Sequence, residues 1–165
     1  MITMMDILEF KVLLLIIVAN GAPVLGDFLF KQHGAWPVDG GLLLPDGHRL
    51  LGHSKTWRGV LLAVTVTALI AWPLGFSLMT GLTIGAWAML GDALSSFSKR
   101  RLGLAASSMA LGLDQIPEAL LPLIAVREEL GLDWWSVLKI GSGFVIAELL
   151  LSRLLYHWHI RSRPY

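Results

Sequence analysis

Cysteine is missing from the 165 residues, which excludes disulfides, thiolate metal sites and a cysteine nucleophile, and leaves the redox compartment unmarked. Charge is the second scarcity: 15% of the residues are charged and 55% apolar, where soluble domains average roughly 25% and 45–50%. Mean hydropathy is +0.68. So few charges cannot solvate the surface of a globule of this size, which excludes a soluble enzyme and predicts an integral membrane protein. The net charge of +1 gives no reason to expect a nucleic-acid partner.

Between Gly59 and Gly91 there is no Asp, Glu, Lys or Arg at all. One helix of that length would extend about 50 Å at ~1.5 Å per residue, against a hydrocarbon core of ~30 Å, so the segment must fold back once. Pro73 and Gly75 supply the turn. The predicted architecture is an all-α, single-domain membrane protein covering 1–165, with five spans at about 7–30, 55–72, 76–98, 107–126 and 134–157. The first span lacks a preceding basic segment and is read as a span, not a cleaved signal peptide. Ser107 or Ser108 is the expected N-cap of the fourth. Trp134, Trp135, Tyr156 and Trp158 fall where interfacial aromatics belong.

Basic residues are retained on the cytoplasmic side. Of the 13 Lys and Arg, ten lie at one set of ends: Lys31, Arg49, Lys55, Arg58, Lys99, Arg100, Arg101, Arg153, Arg161 and Arg163. The predicted topology is therefore N-terminus out and C-terminus in, in the cell membrane.

Ionisable side chains within spans are costly and mark function by default. Asp92, Asp114 and Glu118 stand out. At 3.6 residues per turn, Asp92, Ser95, Ser96 and Lys99 share one face, continued backwards by Ala88, Gly85 and Gly81 as a seam suited to close packing within the monomer or across a homodimer. The plain alternative for Asp92 is an ion pair within its own helix to Lys99 or Arg100. Asp114, placed about two turns inside a helix from Ser107, would lie at the depth of Asp92, with Glu118 one turn deeper. The loop from Trp36 to His48 holds Asp-Gly twice and reads as tight turns or a hairpin. It leads into Gly52-His-Ser-Lys-Thr-Trp-Arg-Gly59, where Ser54, Thr56, Lys55 and Arg58 are the ingredients of a phosphate site at a helix N-terminus. Gly52 lies three residues before Lys55, so this is no P-loop. Asn20-Gly-Ala-Pro23 interrupts the first span, either as a kink or as the opening of a groove. His157 and His159 read as interfacial residues.

Taken together, Gly52 to Gly59, Gly91-Asp92 followed by Ser96-Phe-Ser-Lys-Arg-Arg101, Leu113-Asp-Gln115, Asn20-Gly-Ala-Pro23 and Asp39-Gly-Gly41 resemble the CDP-archaeol synthase family over nearly the whole chain. The resemblance implies transfer of a cytidylyl group from CTP to a membrane lipid phosphate, with release of pyrophosphate. It also implies Asp92 and Asp114 as ligands of Mg²⁺, and Lys99 and Arg100 as phosphate contacts. Substrate-binding positions are then Ser54, Lys55, Thr56, Arg58, Ser96, Arg100, Arg101, Gln115 and Asn20, with Asp92, Asp114 and Lys99 catalytic. The sequence departs from the related phosphatidate enzymes: no Gly-His-Gly-Gly precedes Asp114, and Gln115 follows it. The chemistry agrees, since two polyanions must meet and cations must screen them. Mg²⁺ takes one or two carboxylates plus phosphate oxygens. The rival is a small transporter or flippase using the same intramembrane acids. The lipid is expected to approach along spans one and two.

Overall fold

A computed structural model describes residues 4–31, 33–105 and 108–160. Five helices follow in order: α1 Met4–Phe30, α2 Trp57–Ala71, α3 Leu78–Arg101, α4 Gln115–Val126 and α5 Trp134–His157. Each sequence neighbour pair packs together, and α1 also packs on α3 and α5. Pro73-Leu-Gly75 makes the expected reversal, with Gly75 at φ 88° and its N–H donating to Trp72 O; Ser77 then caps α3 by accepting from Thr80 N. Large apolar side chains face outward on every helix, among them Leu61, Leu69, Leu90, Ile124, Leu138, Ile146 and Leu150, the surface of a protein solvated by lipid. Among the described residues, α1 alone is long and apolar enough by composition to cross a bilayer.

Apolar burial is confined to one half of the bundle. Val12, Leu15 and Ile16 of α1 pack with Ile84 of α3, Leu123 of α4, and Ile140 and Phe144 of α5. At that end Glu9 of α1 accepts from Ser136 and pairs with Lys139, both at the start of α5, and Glu129 before α5 accepts from Thr80 of α3. Helices α1 and α5 therefore begin at the same end and run parallel. The Gly81, Gly85 seam is used within the monomer: a Cβ on Gly81 would lie 2.5 Å from Ala68 Cα, and one on Gly85 2.8 Å from Val64 Cα, both on α2.

Two expectations need correction. The fourth helix does not begin at 107 or 108: Ser107, like Arg161 and Arg163, lies outside the described residues, and residues 111–114 form turns. Gly112 takes φ 82°, which breaks a right-handed helix, so α4 starts at Gln115 and Asp114 stands at its entrance. Nor is α1 interrupted at Asn20-Gly-Ala-Pro23. The helix runs through, with Asn20 Nδ2 donating to Ile16 O at 3.0 Å.

The loop from 33 to 56 is a built structure. Leu44 N donates to His48 O and Leu50 N to Leu42 O, closing the hairpin foreseen around Asp46-Gly47. Val38 N donates to Lys55 O and Trp57 N to Trp36 O, which joins the start of the loop to its end. At its centre the Asp39 side chain, fully withdrawn from solvent, pairs with Arg49 at 2.7 Å and accepts from the N–H groups of Gly41, Leu51 and Gly52. Burial pushes this carboxyl up, but the N–H groups of Gly52, Gly41 and Leu51 and the Arg49 guanidinium outweigh it and hold the pKa at about 2.

Candidate active site

With the apolar core filling one half of the bundle, the other half encloses a cavity of about 390 Å³. Three stretches bring charge to it. The loop supplies Ser54 and Lys55, α3 supplies Asp92, Ser96, Lys99 and Arg100, and the turn into α4 supplies Asp114, Gln115 and Glu118. The helical spacing anticipated for α3 holds, with one refinement: Ser95 turns away from the cavity and donates to Gly91 O and Asp114 O, tying α3 to α4.

The ion pairs cross between elements. Lys55 Nζ lies 2.6 Å from both oxygens of Asp92, joining loop to α3. Lys99 Nζ lies 2.6 Å from Asp114 Oδ1 and donates to Ser108 O at 3.0 Å, joining α3 to the segment before α4. Asp114 Oδ2 accepts from Ala110 N, which shapes that segment further. The intrahelical pair considered for Asp92 is thus replaced by one to Lys55, because Lys99 is engaged elsewhere. Glu118 sits one turn into α4 and lines the same cavity as Asp92. Close approach of the two helices allows this: a Cβ on Gly91 would lie 2.3 Å from Pro117 O.

Arg100 differs from the lysines. It is 9% exposed and lines the cavity, yet among the described residues it has no ion pair, and its buried Nε has no hydrogen-bond partner. A buried guanidinium without a counter-ion is costly unless an anion completes it.

Of the residues singled out in sequence, Asn20, Ser54, Lys55, Asp92, Ser96, Lys99, Arg100, Asp114 and Gln115 meet at the cavity. Three do not line it. Thr56 is the N-cap of α2, accepting from Gly59 N. Arg58 turns to Asp27 and to His33 O. Arg101 pairs with Asp46 and donates to Arg49 O, so it fastens the hairpin to the end of α3. Their cations hold the walls and do not face the cavity. Glu148 and Ser152 of α5 do line it and were not foreseen. The signal was present, since Glu148 is a lone acid in the apolar run from Phe144 to Leu151.

The cavity therefore gathers the carboxyls of Asp27, Asp92, Asp114, Glu118 and Glu148 against the cations Lys55, Lys99 and Arg100. Apolar side chains line it as well, Ile17 and Val24 of α1 and Phe144, Leu149 and Leu155 of α5, interspersed with Asn20, Asp27, Glu148 and Ser152 of the same helices. A chamber with both kinds of lining suits a ligand that is itself part polyanion and part hydrocarbon.

Comparison with known proteins bears on this arrangement. The family model described as CarS-like, CDP-archaeol synthase, matches residues 4–76. A CDP-archaeol synthase of Sulfurisphaera tokodaii is 34% identical over 155 residues, covering 90% of each chain. One of Aeropyrum pernix is 38% identical over 154 residues, covering 89% of this chain and 84% of that one. A solved structure described as an intramembrane enzyme for archaeal membrane lipids biosynthesis superposes with a TM-score of 0.74 at 29% identity, covering 86% of this chain and 90% of the other. The chain belongs to the CDP-archaeol synthase family.

Proposed function

We propose that this cavity transfers the cytidylyl group of CTP to the phosphate of a membrane lipid, giving a CDP-activated lipid and pyrophosphate. Family membership and the resemblance of names support the reaction. The observation that carries the site is the meeting, in one chamber, of Lys55, Lys99 and Arg100 with apolar side chains of α1 and α5.

An oxygen of the lipid phosphate attacks the α-phosphorus of CTP; a P–O bond forms there, the bond to the β-phosphate breaks, and pyrophosphate leaves. The nucleophile is already ionised, so no serine or general base is required. Lys55, Lys99 and Arg100 screen the repulsion between the two phosphates and stabilise charge on the transferring group. Ser54, Ser96, Asn20 and Gln115 offer neutral hydrogen bonds around them.

Mg²⁺ fits the donor set. Asp27 is taken up by Arg58, but Asp92, Asp114, Glu118 and Glu148 still share the chamber with three cations, so a divalent ion would ease the entry of a polyphosphate. Among the described residues no group of three or more acids and histidines forms a ready cage. Mg²⁺ needs none, being held by one or two carboxylates with phosphate oxygens and water. Asp92 and Asp114 would hold it, and it would neutralise charge developing on the phosphates. Because both lysines occupy those carboxylates, Lys55 and Lys99 must turn from Asp92 and Asp114 toward the phosphates when substrate binds. Five spans with the cavity facing the cytoplasm, where CTP is made, complete the reading.

The transporter alternative has no support. The cavity ends on Ile17, Met89 and Phe144, and beyond them the core is closed, with Leu15, Ile16, Ile84 and Ile140 at 0–2% exposure. The test is purified protein with CTP, Mg²⁺ and a panel of ether- and ester-linked lipid phosphates. A CDP-lipid should appear with at least one of them, and none with any would overturn the reading.

A further inference from the structure

The two lysine–carboxylate pairs of the chamber are not equally tied. Lys99 Nζ also donates to Ser108 O, and Asp114 Oδ2 also accepts from Ala110 N, so that pair is fastened at both of its members. Lys55 Nζ instead gives its hydrogen bonds to the two oxygens of Asp92, each at 2.6 Å, and so covers the edge of the carboxylate. The backbone of Lys55 is held independently of this pair. Its N–H donates to Gly52 O, its carbonyl accepts from Val38 N, and the adjacent Thr56 caps α2. The side chain can therefore leave Asp92 while the loop stays where it is.

Resting on the reading above, we infer that Lys55 is a latch on the cation site of Asp92: its ammonium keeps a divalent ion out until a polyphosphate arrives to take the ammonium over. A metal ion without nucleotide has to push this ammonium, on a side chain only 24% exposed, off both oxygens of its partner, and brings no anion in return. A triphosphate brings phosphate oxygens that replace the lost contact. Metal and nucleotide thereby share a coupling free energy, and each strengthens the binding of the other by the same factor. Of the two proposed metal ligands, Asp92 is the one that a change in a single side chain opens.

The probe is Mn²⁺ alone, with no nucleotide or lipid, titrated into the full chain in detergent and read by loss of the free-ion electron paramagnetic resonance signal. Lys55→Met should bind Mn²⁺ about tenfold more tightly than wild type, a gain that loss of a merely structural residue would not give. Lys55→Gln, whose amide can keep a neutral hydrogen bond to Asp92, should shift in the same direction and serves if the methionine variant does not fold. Arg100→Met takes the same charge out of the same chamber but uncovers no carboxylate, so its gain should stay below about threefold. Adding Asp92→Asn to either Lys55 variant should abolish the gain. Equal Mn²⁺ binding by wild type and the folded Lys55 variants, an equal gain from Arg100→Met, or a gain that survives Asp92→Asn would overturn the latch. If the wild-type protein transfers CMP to no lipid phosphate, the catalytic reading fails, while the Mn²⁺ titration still reports whether Lys55 closes a cation site on Asp92.

Discussion

Lys99 does two things at once at the residue scale, since its ammonium neutralises Asp114 and holds Ser108 O, and its side chain lines the cavity. Lys99→Ala should reduce kcat/KM for CTP by 10–100-fold, as expected for loss of a phosphate contact contributing about 1–3 kcal/mol. Arg101→Ala should leave the CTP Kd far less affected than Arg100→Ala, because Arg101 faces Asp46 and not the chamber; isothermal titration of the two variants checks this. The sequence set Lys99 on the face of Asp92 and marked it as catalytic, but grouped Arg100 and Arg101 together as substrate-binding. They are consecutive on a helix, about 100° apart, and which one faces a cavity depends on partners distant in the chain. Asp92 and Asp114 were legible as acids out of place. Glu148 was equally legible and went unread, its apolar surroundings being taken for a plain span.

Elements show where local chemistry overrides pattern. The apolar run through 107–126 predicted one helix, but Gly112 in the left-handed region stops it, and Asp114 owes its place to that break. The Asn20-Gly-Ala-Pro23 stretch held the opposite lesson: the helix survives a proline, with Asn20 donating to Ile16 O one turn back. Glycines at helix crossings have steric consequences that sequence alone could not assign to a partner. Gly91→Ala should destabilise the fold by about 1–3 kcal/mol, since its Cβ would enter the backbone of α4; thermal unfolding in detergent measures it. The Asp39 loop carries a pH signature. Its folded pKa of about 2 lies below the ordinary 3.8, so its contribution is complete above about pH 4 and is lost as pH falls through about 2. Hydrogen exchange should show protection of the Leu51 and Gly52 amides, corrected for intrinsic rates, falling across that window, and Asp39→Asn should lack it at every pH.

Across the whole molecule, the division of labour runs along the bundle. Apolar burial fills one half and holds the helices together; the other half is bounded by a loop and a turn, and there the charges collect. A net charge of +1 conceals this, as does the count of basic residues at one end, several of which serve as fasteners. The five helices and the paired acids were legible because hydropathy and stray charge are written residue by residue. The wall of the cavity was not, because it is made by two helices more than a hundred residues apart. The central claim is that CMP moves from CTP to a lipid phosphate at Asp92 and Asp114. Label at the α-phosphate of CTP should appear in lipid with wild-type protein and fall at least 100-fold with Asp92→Asn and with Asp114→Asn, while label at the γ-phosphate should leave as pyrophosphate. Full transfer of α-label by both variants would contradict the account.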